Sequence, residues 1–397
     1  MGEADTVLKE VCLSETAPSR DRIRLVVYQS HMHGGGAQRI TLIMLNNLDR
    51  KRFAPILVLR RRGGDLEGYV PADVPVYYLE SRVRYAWFRL ARLLRKLAPD
   101  VTLSMSTMGN LTACLAHFAG RVDSPLLVAE HNTLSQAWGS SKLRLTWVRL
   151  QKNLLYRRPR NIIAVSRGVA HDLAAQARIS NRKIRVIYNP VIGRGFYERA
   201  SEEVDHPWFH DGSRIILAAS RLVPQKDLPM LLESFRLLRA ECSARLLILG
   251  DGELRQSLEE RARDLGIAED VDFLGFVVEA PAFMKRCTVF ALSSRYEGLP
   301  VALIEAMACG VPAVSTDCPS GPGEIITHER DGLLVPVRDA AALAGALKRL
   351  LDDPGLRERL GRAGQERAAH FTVENLLPQY EELIRRVLGS VKYQRVP

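Results

Sequence analysis

Residues 289–314 read VFALSSRYEGLPVALIEAMACGVPAV, and the order of chemical character along them decides the architecture. Val289–Leu292 is a short apolar run, Ser293–Pro300 a loop with glycine and proline, Val301–Ala308 has helical spacing, and Pro312–Ser315 is apolar again. Short apolar runs bounded by turn residues, with a helix between them, form a strand–helix–strand unit and predict a parallel sheet. Pro300 fits the first helical turn, where its missing N–H has no partner to lose. Outward from this unit, Ile215–Ala219, Leu246–Leu249, Val271–Leu274 and Leu333–Val335 read as further strands, and Leu228–Cys242, Leu254–Leu265 and Ala341–Leu351 as helices. That is a doubly wound sheet of six strands.

The alternation also occupies the first half of the chain. Ile23–Tyr28 runs into Gly34-Gly35-Gly36 and then a helical segment from Ala37 to Leu48; further strands are expected at Pro55–Leu59, Val101–Ser104, Leu126–Ala129, Ile162–Val165 and Ile184–Tyr188. Helices are expected at Tyr85–Leu97, Lys142–Tyr156 and Val169–Arg178. Periodicity fails around Glu198–Gly212, which marks a linker. The expected divisions are a polar leader at 1–22, a first domain at 23–198, a second at 199–372, and a C-terminal helix at 373–397 returning to the first domain.

Two domains suit 397 residues, and 47% apolar with 25% charged residues excludes disordered and collagenous classes. Six cysteines without a C-x-x-C pair suggest neither a zinc knuckle nor a disulfide framework, so a reducing cytoplasm is expected. The leader lacks an apolar core, and no uncharged run approaches the ~20 residues of a membrane span. A soluble or peripheral protein is expected. The net charge of +11 is unevenly spread: residues 1–200 hold 32 basic against 15 acidic residues, and residues 201–397 hold 24 against 30. A basic first half expects an anionic partner. On Arg82–Ala98, Trp87, Leu90, Ala91, Leu94 and Leu97 share one side, Arg82, Arg89, Arg92 and Lys96 lie on the other, and Phe88 and Leu93 interrupt the polar side. With Lys142, Arg144, Arg149, Lys152, Arg157, Arg158 and Arg160, this suggests docking on an anionic membrane.

In open parallel sheets ligands bind beyond the carboxyl ends of the strands, so the loops there hold the candidate chemistry. Ser220–Asp227 carries Arg221 and Lys226, a fork and a point charge suited to a diphosphate. Ser293–Pro300 carries Glu297, and the following helix carries Glu305; the two need not face each other as a dyad. Free N–H groups near Leu299–Ala302 suit a phosphate. The only D-x-D, Asp270-Val271-Asp272, begins a strand and is misplaced for a metal-held diphosphate, and His31 and His33 lack further ligands.

The ordered set is more specific than its parts. Arg221 with Lys226, Gly250-Asp251-Gly252, Gly275-Phe276, Glu297-x7-Glu305, CPSGPGEII and DGLLVP, preceded by Gly34–Gly36, Glu130-His131-Asn132, AVSRGVAHDL (164–173) and VIYNPV (186–191), resembles the retaining glycosyltransferases of family 4, which have the GT-B fold. The resemblance implies two Rossmann-like α/β domains facing a central cleft. It implies metal-independent transfer of a hexose or N-acetylhexosamine from a nucleotide sugar, most often a UDP-sugar, with retention of configuration. The acceptor would be a glycan or lipid-linked glycan in cell-surface polysaccharide or glycolipid assembly. Carried over by position, Arg221 and Lys226 hold the diphosphate, Glu305 the ribose, and Gly275-Phe276 the base. Glu297, Gly298 and Leu299 meet the donor sugar and phosphate, Gly34 and Gly35 approach the donor closely, and His131 contacts the sugar near the reacting centre. Gln38 departs from the pattern, since many relatives carry an acid there. A nucleotide-sugar epimerase would share the architecture, but the E-x7-E stretch is closer to transferases. A dehydrogenase lacks its G-x-G-x-x-G fingerprint, and a nucleic-acid-binding protein would need aromatic platforms among the cations.

Overall fold

Leu25–Tyr28 and Leu246–Leu249 are apolar at consecutive positions and buried throughout, so each needs cover on both faces. Parallel sheets wrapped by helices provide that cover. The computed structural model describes residues 22–137 and 142–394 and has this architecture twice. The strands among the described residues are β1 (Ile23–Gln29), β2 (Phe53–Leu59), β3 (Val76–Tyr78), β4 (Val101–Ser104), β5 (Leu126–Glu130), β6 (Asn161–Ala164), β7 (Ile184–Val186), β8 (Ile215–Ala219), β9 (Arg245–Leu249), β10 (Val271–Gly275), β11 (Val289–Leu292), β12 (Ala313–Thr316) and β13 (Leu333–Val335). One parallel sheet has the order β3-β2-β1-β4-β5-β6-β7 and the other β10-β9-β8-β11-β12-β13. Each sheet reverses direction once, between β1 and β4 and between β8 and β11, and the crevice at such a reversal is where open sheets hold ligands.

The chain forms two units, one built from residues up to 190 together with those from 373 onward, the other from 191 to 372. The division precedes the expected linker for a physical reason. The N–H groups of Val191 and Ile192 donate to the Phe371 carbonyl at 2.8 and 3.1 Å, which closes the second unit on itself. Residues 198–212 belong to that unit: Arg199 pairs with Glu279 at 3.3 Å, and Lys285 donates to the Ser201 hydroxyl at 2.8 Å. The helix Val373–Gln394 packs on Gly36–Asn47 of the first unit, burying Leu376, Tyr380, Ile384 and Val387 along one face, and Glu381 accepts from Arg52 at 3.3 Å.

Three departures from the sequence reading have clear causes. β3 is only three half-buried residues, too short for a periodic signal. The helix Pro354–Ala368 buries Leu360, Gly361, Gly364 and Ala368 against Val301–Ala308, so its contact face is mostly small residues that hydrophobic spacing does not detect. A Cβ on Gly361 would lie 2.3 Å from the Gly310 carbonyl oxygen. On the helix Val83–Leu97, Leu93 is buried instead of interrupting the polar side, while Phe88 is exposed. The leader, residues 1–21, lies outside the described residues, as do the side chains of Lys142 and Arg144. No helix among the described residues is long and apolar enough to cross a membrane.

Candidate active site

In the second unit the loops after β8 and β11 flank the reversal, and they are stitched together before any side chain reaches a ligand. Arg295 N–H donates to the Gln225 carbonyl at 2.9 Å, Gln225 Nε2 to the Tyr296 carbonyl at 2.9 Å, and Ser293 Oγ to the Lys226 carbonyl at 2.7 Å. Asp227 sits at φ 48°, a left-handed conformation that costs energy without glycine. Both its carboxylate oxygens accept from Arg295 at 2.8 Å, and this two-pronged pair holds the turn. The result aims Lys226 Nζ at Glu297 Oε1, 2.5 Å away, and Ser294 Oγ donates to the same oxygen at 2.7 Å. The Lys226 side chain is 14% exposed and that of Glu297 6%, so this is an ion pair largely removed from water. Arg221 stands exposed at the start of the same loop.

The floor of the site depends on glycine. Gly321 has φ +93°, and a Cβ there would lie 2.7 Å from Pro300 Cδ and 3.0 Å from the Gly298 carbonyl. Ser320 Oγ donates to that carbonyl at 3.2 Å, so Gly298 is held from the following loop. Leu299 is buried beside it. Gly250 has φ +131°, and a Cβ would fall 1.8 Å from the Ser220 carbonyl. Its N–H donates to Gly275 at 2.6 Å, while Leu222 N–H donates to Asp251 at 2.9 Å and Leu254 N–H to Leu222 at 3.0 Å. Main-chain bonds therefore lock together the loops after β8, β9 and β10, with Phe276 half-buried just past Gly275. Pro300 is the cap of the helix Val301–Ala308 and not its first residue. Glu305 is buried inside that helix, whereas Glu297 lies in the loop before it.

In the first unit, Ser30 and Ser106 hydroxyls meet at 3.2 Å across the β1–β4 reversal. Gly34 N–H donates to Asp65 Oδ2 at 3.1 Å, and Gly35 begins the helix Gly36–Asn47 without a side-chain cap. Gln38 Oε1 would lie 2.7 Å from a Cβ on Gly35, so the amide that replaces an acid in this sequence covers the glycine turn. His131 follows β5. Its Nε2 is buried with no hydrogen-bond partner among the described residues, and burial pushes its pKa down to about 4 against the opposing charge of Glu130. Glu130 itself is 1% exposed and ends a polar network missed in the sequence. Lys152 donates to its Oε1 at 2.7 Å and Asn110 at 3.1 Å, Tyr156 donates to the same oxygen, and Thr107 donates to Oε2 at 3.2 Å. Lys152 thus leaves the basic surface expected for it, because its charge is spent on a buried carboxylate.

Among the described residues no three His, Cys, Asp or Glu side chains gather as a metal group. Asp270 pairs with Arg239 at 2.6 Å and Arg245 at 3.5 Å, and Asp272 with His206 at 3.1 Å. Ser294, Asp227, Arg295 and Gly321 lie inside stretches that the sequence singles out, but their spacing carries no sign of the pairs they make.

Residues 34–192 match the family model for Glycosyltransferase Family 4, and residues 201–367 the model for Glycosyl transferases group 1. With these two models on its two units, the chain belongs to the GT-B glycosyltransferases and is an enzyme of that class. It is 26% identical, over 88% of its length and 95% of the relative, to N-acetylgalactosamine-N,N'-diacetylbacillosaminyl-diphospho-undecaprenol 4-alpha-N-acetylgalactosaminyltransferase of Campylobacter jejuni. To the amylovoran biosynthesis glycosyltransferase AmsD of Erwinia amylovora it is 25% identical over 91% of this chain and 99% of that one. Its fold is similar to that of Anabaena HepE, solved in complex with UDP and glucose, with a TM-score of 0.77 and 21% identity over 92% of this chain and 100% of that one.

Proposed function

We propose that the chain transfers a hexose or N-acetylhexosamine from a UDP-sugar to a glycan or lipid-linked acceptor, with retention of configuration and without a metal, in cell-surface polysaccharide or glycolipid assembly. The observation that carries this is the Lys226–Glu297–Ser294 cluster at the β8–β11 reversal, with Arg221 in the same loop. As the C1–O bond to the diphosphate breaks, negative charge grows on the leaving phosphate. Arg221, Lys226 and the N–H groups at the start of Val301–Ala308 stabilise that charge more in the transition state than before it. Retention brings the acceptor hydroxyl to the face that the diphosphate leaves, where the departing phosphate oxygen can take its proton. Glu297, already engaged by Lys226 and Ser294, is then suited to orient the sugar. Glu305 is assigned to the ribose, Gly275-Phe276 to the base, and His131, Gly34 and Gly35 keep the roles implied by the resemblance.

The relatives support the choice of substrates: one is named for a diphospho-undecaprenol acceptor, one for amylovoran, and the Anabaena structure holds UDP. On this reading the enzyme works on the cytoplasmic side, where an anionic membrane surface presents lipid-linked acceptors. A panel of UDP-glucose, UDP-galactose and their N-acetyl forms tests the proposal. The true donor raises the melting temperature and releases UDP only with acceptor, and proton NMR of the product shows the donor's anomeric configuration. Interconversion of donor sugars without UDP release would instead favour an epimerase, and an inverted product would refute retention.

A further inference from the structure

His131 sits in a turn that the first unit grips at both ends. β5 delivers it directly after Glu130, whose buried carboxylate takes hydrogen bonds from Lys152, Tyr156, Asn110 and Thr107. At the far end Asp172, on the helix Arg167–Ala177, accepts with Oδ2 from the Leu134 N–H and from the Ser135 N–H, the latter at 3.1 Å. The short helix Leu134–Ala137 packs on that same helix. Between the two fixed points run His131-Asn132-Thr133, and the imidazole Nε2 is buried with no hydrogen-bond partner among the described residues. Lys152 is the cation that meets Glu130, at 2.7 Å, and both side chains are 1% exposed. The other titratable groups near the pair do not balance its carboxylate. Burial keeps the Cys114 thiol, on the helix Thr107–Ala119, and the Tyr156 phenol in their neutral forms. Lys183, ahead of β7, directs its ammonium at the carbonyls of Tyr156, Arg157 and Pro159, and Arg149 donates to Gln176.

We infer that Lys152 and Asp172 are positioning residues that hold His131 for the donor sugar, Lys152 by cancelling the Glu130 charge beside the imidazole and Asp172 by pinning the turn that carries it. The inference deepens the sugar contact assigned to His131 above and rests on it. A carboxylate without a cation favours protonation of a neighbouring imidazole. With Lys152 in place that pull is offset, and burial keeps the ring neutral, its pKa pushed down to about 4. A neutral ring has one nitrogen that accepts and one that donates, so it can accept a proton-bearing sugar hydroxyl; an imidazolium can only donate. Position matters as much as charge, because an error of about an ångström near a reacting centre is costly. The two bonds from Asp172 fix the backbone three and four residues beyond the ring, and Glu130 fixes it one residue before. Asp172 lies within AVSRGVAHDL, and nothing in that stretch shows which turn it holds.

NMR of the full chain carrying isotope-labelled histidine, with His131→Ala to assign the signal, reads the titration of the ring directly. In Lys152→Met the His131 midpoint should rise by at least about one pH unit, because Tyr156, Asn110 and Thr107 still hold Glu130 as a carboxylate. Glu130→Gln/Lys152→Met removes both charges, leaves no stranded ion to unfold the unit, and should return the midpoint close to that of the parent. Titration calorimetry with UDP, and with UDP-glucose, UDP-galactose and their N-acetyl forms, reads the position. Asp172→Ala should weaken the best-bound UDP-sugar by roughly 3–10-fold, the scale of one net hydrogen bond, and leave UDP unchanged. Asp172→Asn keeps an accepting oxygen and should restore most of that affinity. Placed on His131→Ala, Asp172→Ala should add nothing, as expected of a residue that acts through the ring. An unmoved midpoint in Lys152→Met, a double variant more than about one unit from the parent, or equal losses for UDP and UDP-sugar in Asp172→Ala would each overturn the inference. If His131→Ala binds the UDP-sugar as tightly as the parent, the sugar contact itself fails, while the NMR midpoints still report the charge balance.

Discussion

Replacing Lys226 by alanine separates what the ion pair does for the fold from what the lysine does for the reaction. Glu297 is 6% exposed, so removing its cation leaves a buried carboxylate that still accepts from Ser294 Oγ at 2.7 Å. Losing one member of a buried pair costs ~3–5 kcal/mol, and the surviving hydroxyl places the expectation near 3. For a unit of this size each kcal/mol moves the melting temperature by ~2–4 °C, so a fall of roughly 6–12 °C is expected. Turnover at saturating donor should fall by ~10²–10³, the scale for losing one donor to transition-state charge. Adding Glu297→Gln removes the stranded charge and should recover most of the melting temperature but none of the turnover. Initial-rate UDP release and thermal melts on the single and double variants read both quantities. If Lys226→Ala keeps turnover within a few-fold of the parent, or the double variant regains it, the lysine does not meet the leaving phosphate.

Arg221→Ala should lower turnover on the same scale with little change in melting temperature, because Arg221 is exposed; equal loss of both would contradict that separation. Gly250→Ala should destabilise the second unit strongly, since its Cβ would fall 1.8 Å from the Ser220 carbonyl at φ +131°, and a melt unchanged within error would contradict the packing. Activity should survive EDTA, and loss rescued by Mg²⁺ or Mn²⁺ would overturn metal independence. His117 is buried with its pKa pushed down from 6.5 to about 4, chiefly by desolvation. The folded state resists its protonation, so its stabilising contribution is complete above pH 6.5 and is lost as pH falls towards 4. By pH 5 the loss is about 2 kcal/mol, measurable as a shift of the urea midpoint that His117→Gln should reduce.

Much of the second unit was legible because its strands are consecutive apolar runs and its loops carry rare groups. Lys226 is one of ten lysines, and Glu297 stands in a loop between two such runs. The pairing of those two residues was not legible: 71 residues separate them, and only the β8–β11 adjacency brings them together. Glu130 and Lys152 show the converse. Lys152 lies on a helix with Lys142, Arg144 and Arg149 and no acid and reads as surface charge, yet Asn110, Thr107 and Tyr156 complete a polar pocket around Glu130 that takes it inside. Pattern reports which face of a helix is apolar; it does not report a carboxylate waiting beneath that face. Packing through Gly361 and Gly364 escaped for a related reason, because the interacting surface is backbone.

The helix Val373–Gln394 bears on how the protein is made. The second unit is one continuous stretch, 191–372, whereas the first needs residues from both ends of the chain. During synthesis the first unit emerges early but lacks its last helix, so the groups that Tyr380, Ile384 and Val387 cover stay open until the whole second unit has been translated. A chain stopped at Thr372 therefore carries a whole second unit and an unfinished first one. Excising the second unit for isolated study is straightforward, while isolating the first calls for joining residues 22–190 to 373–394 through a designed connection.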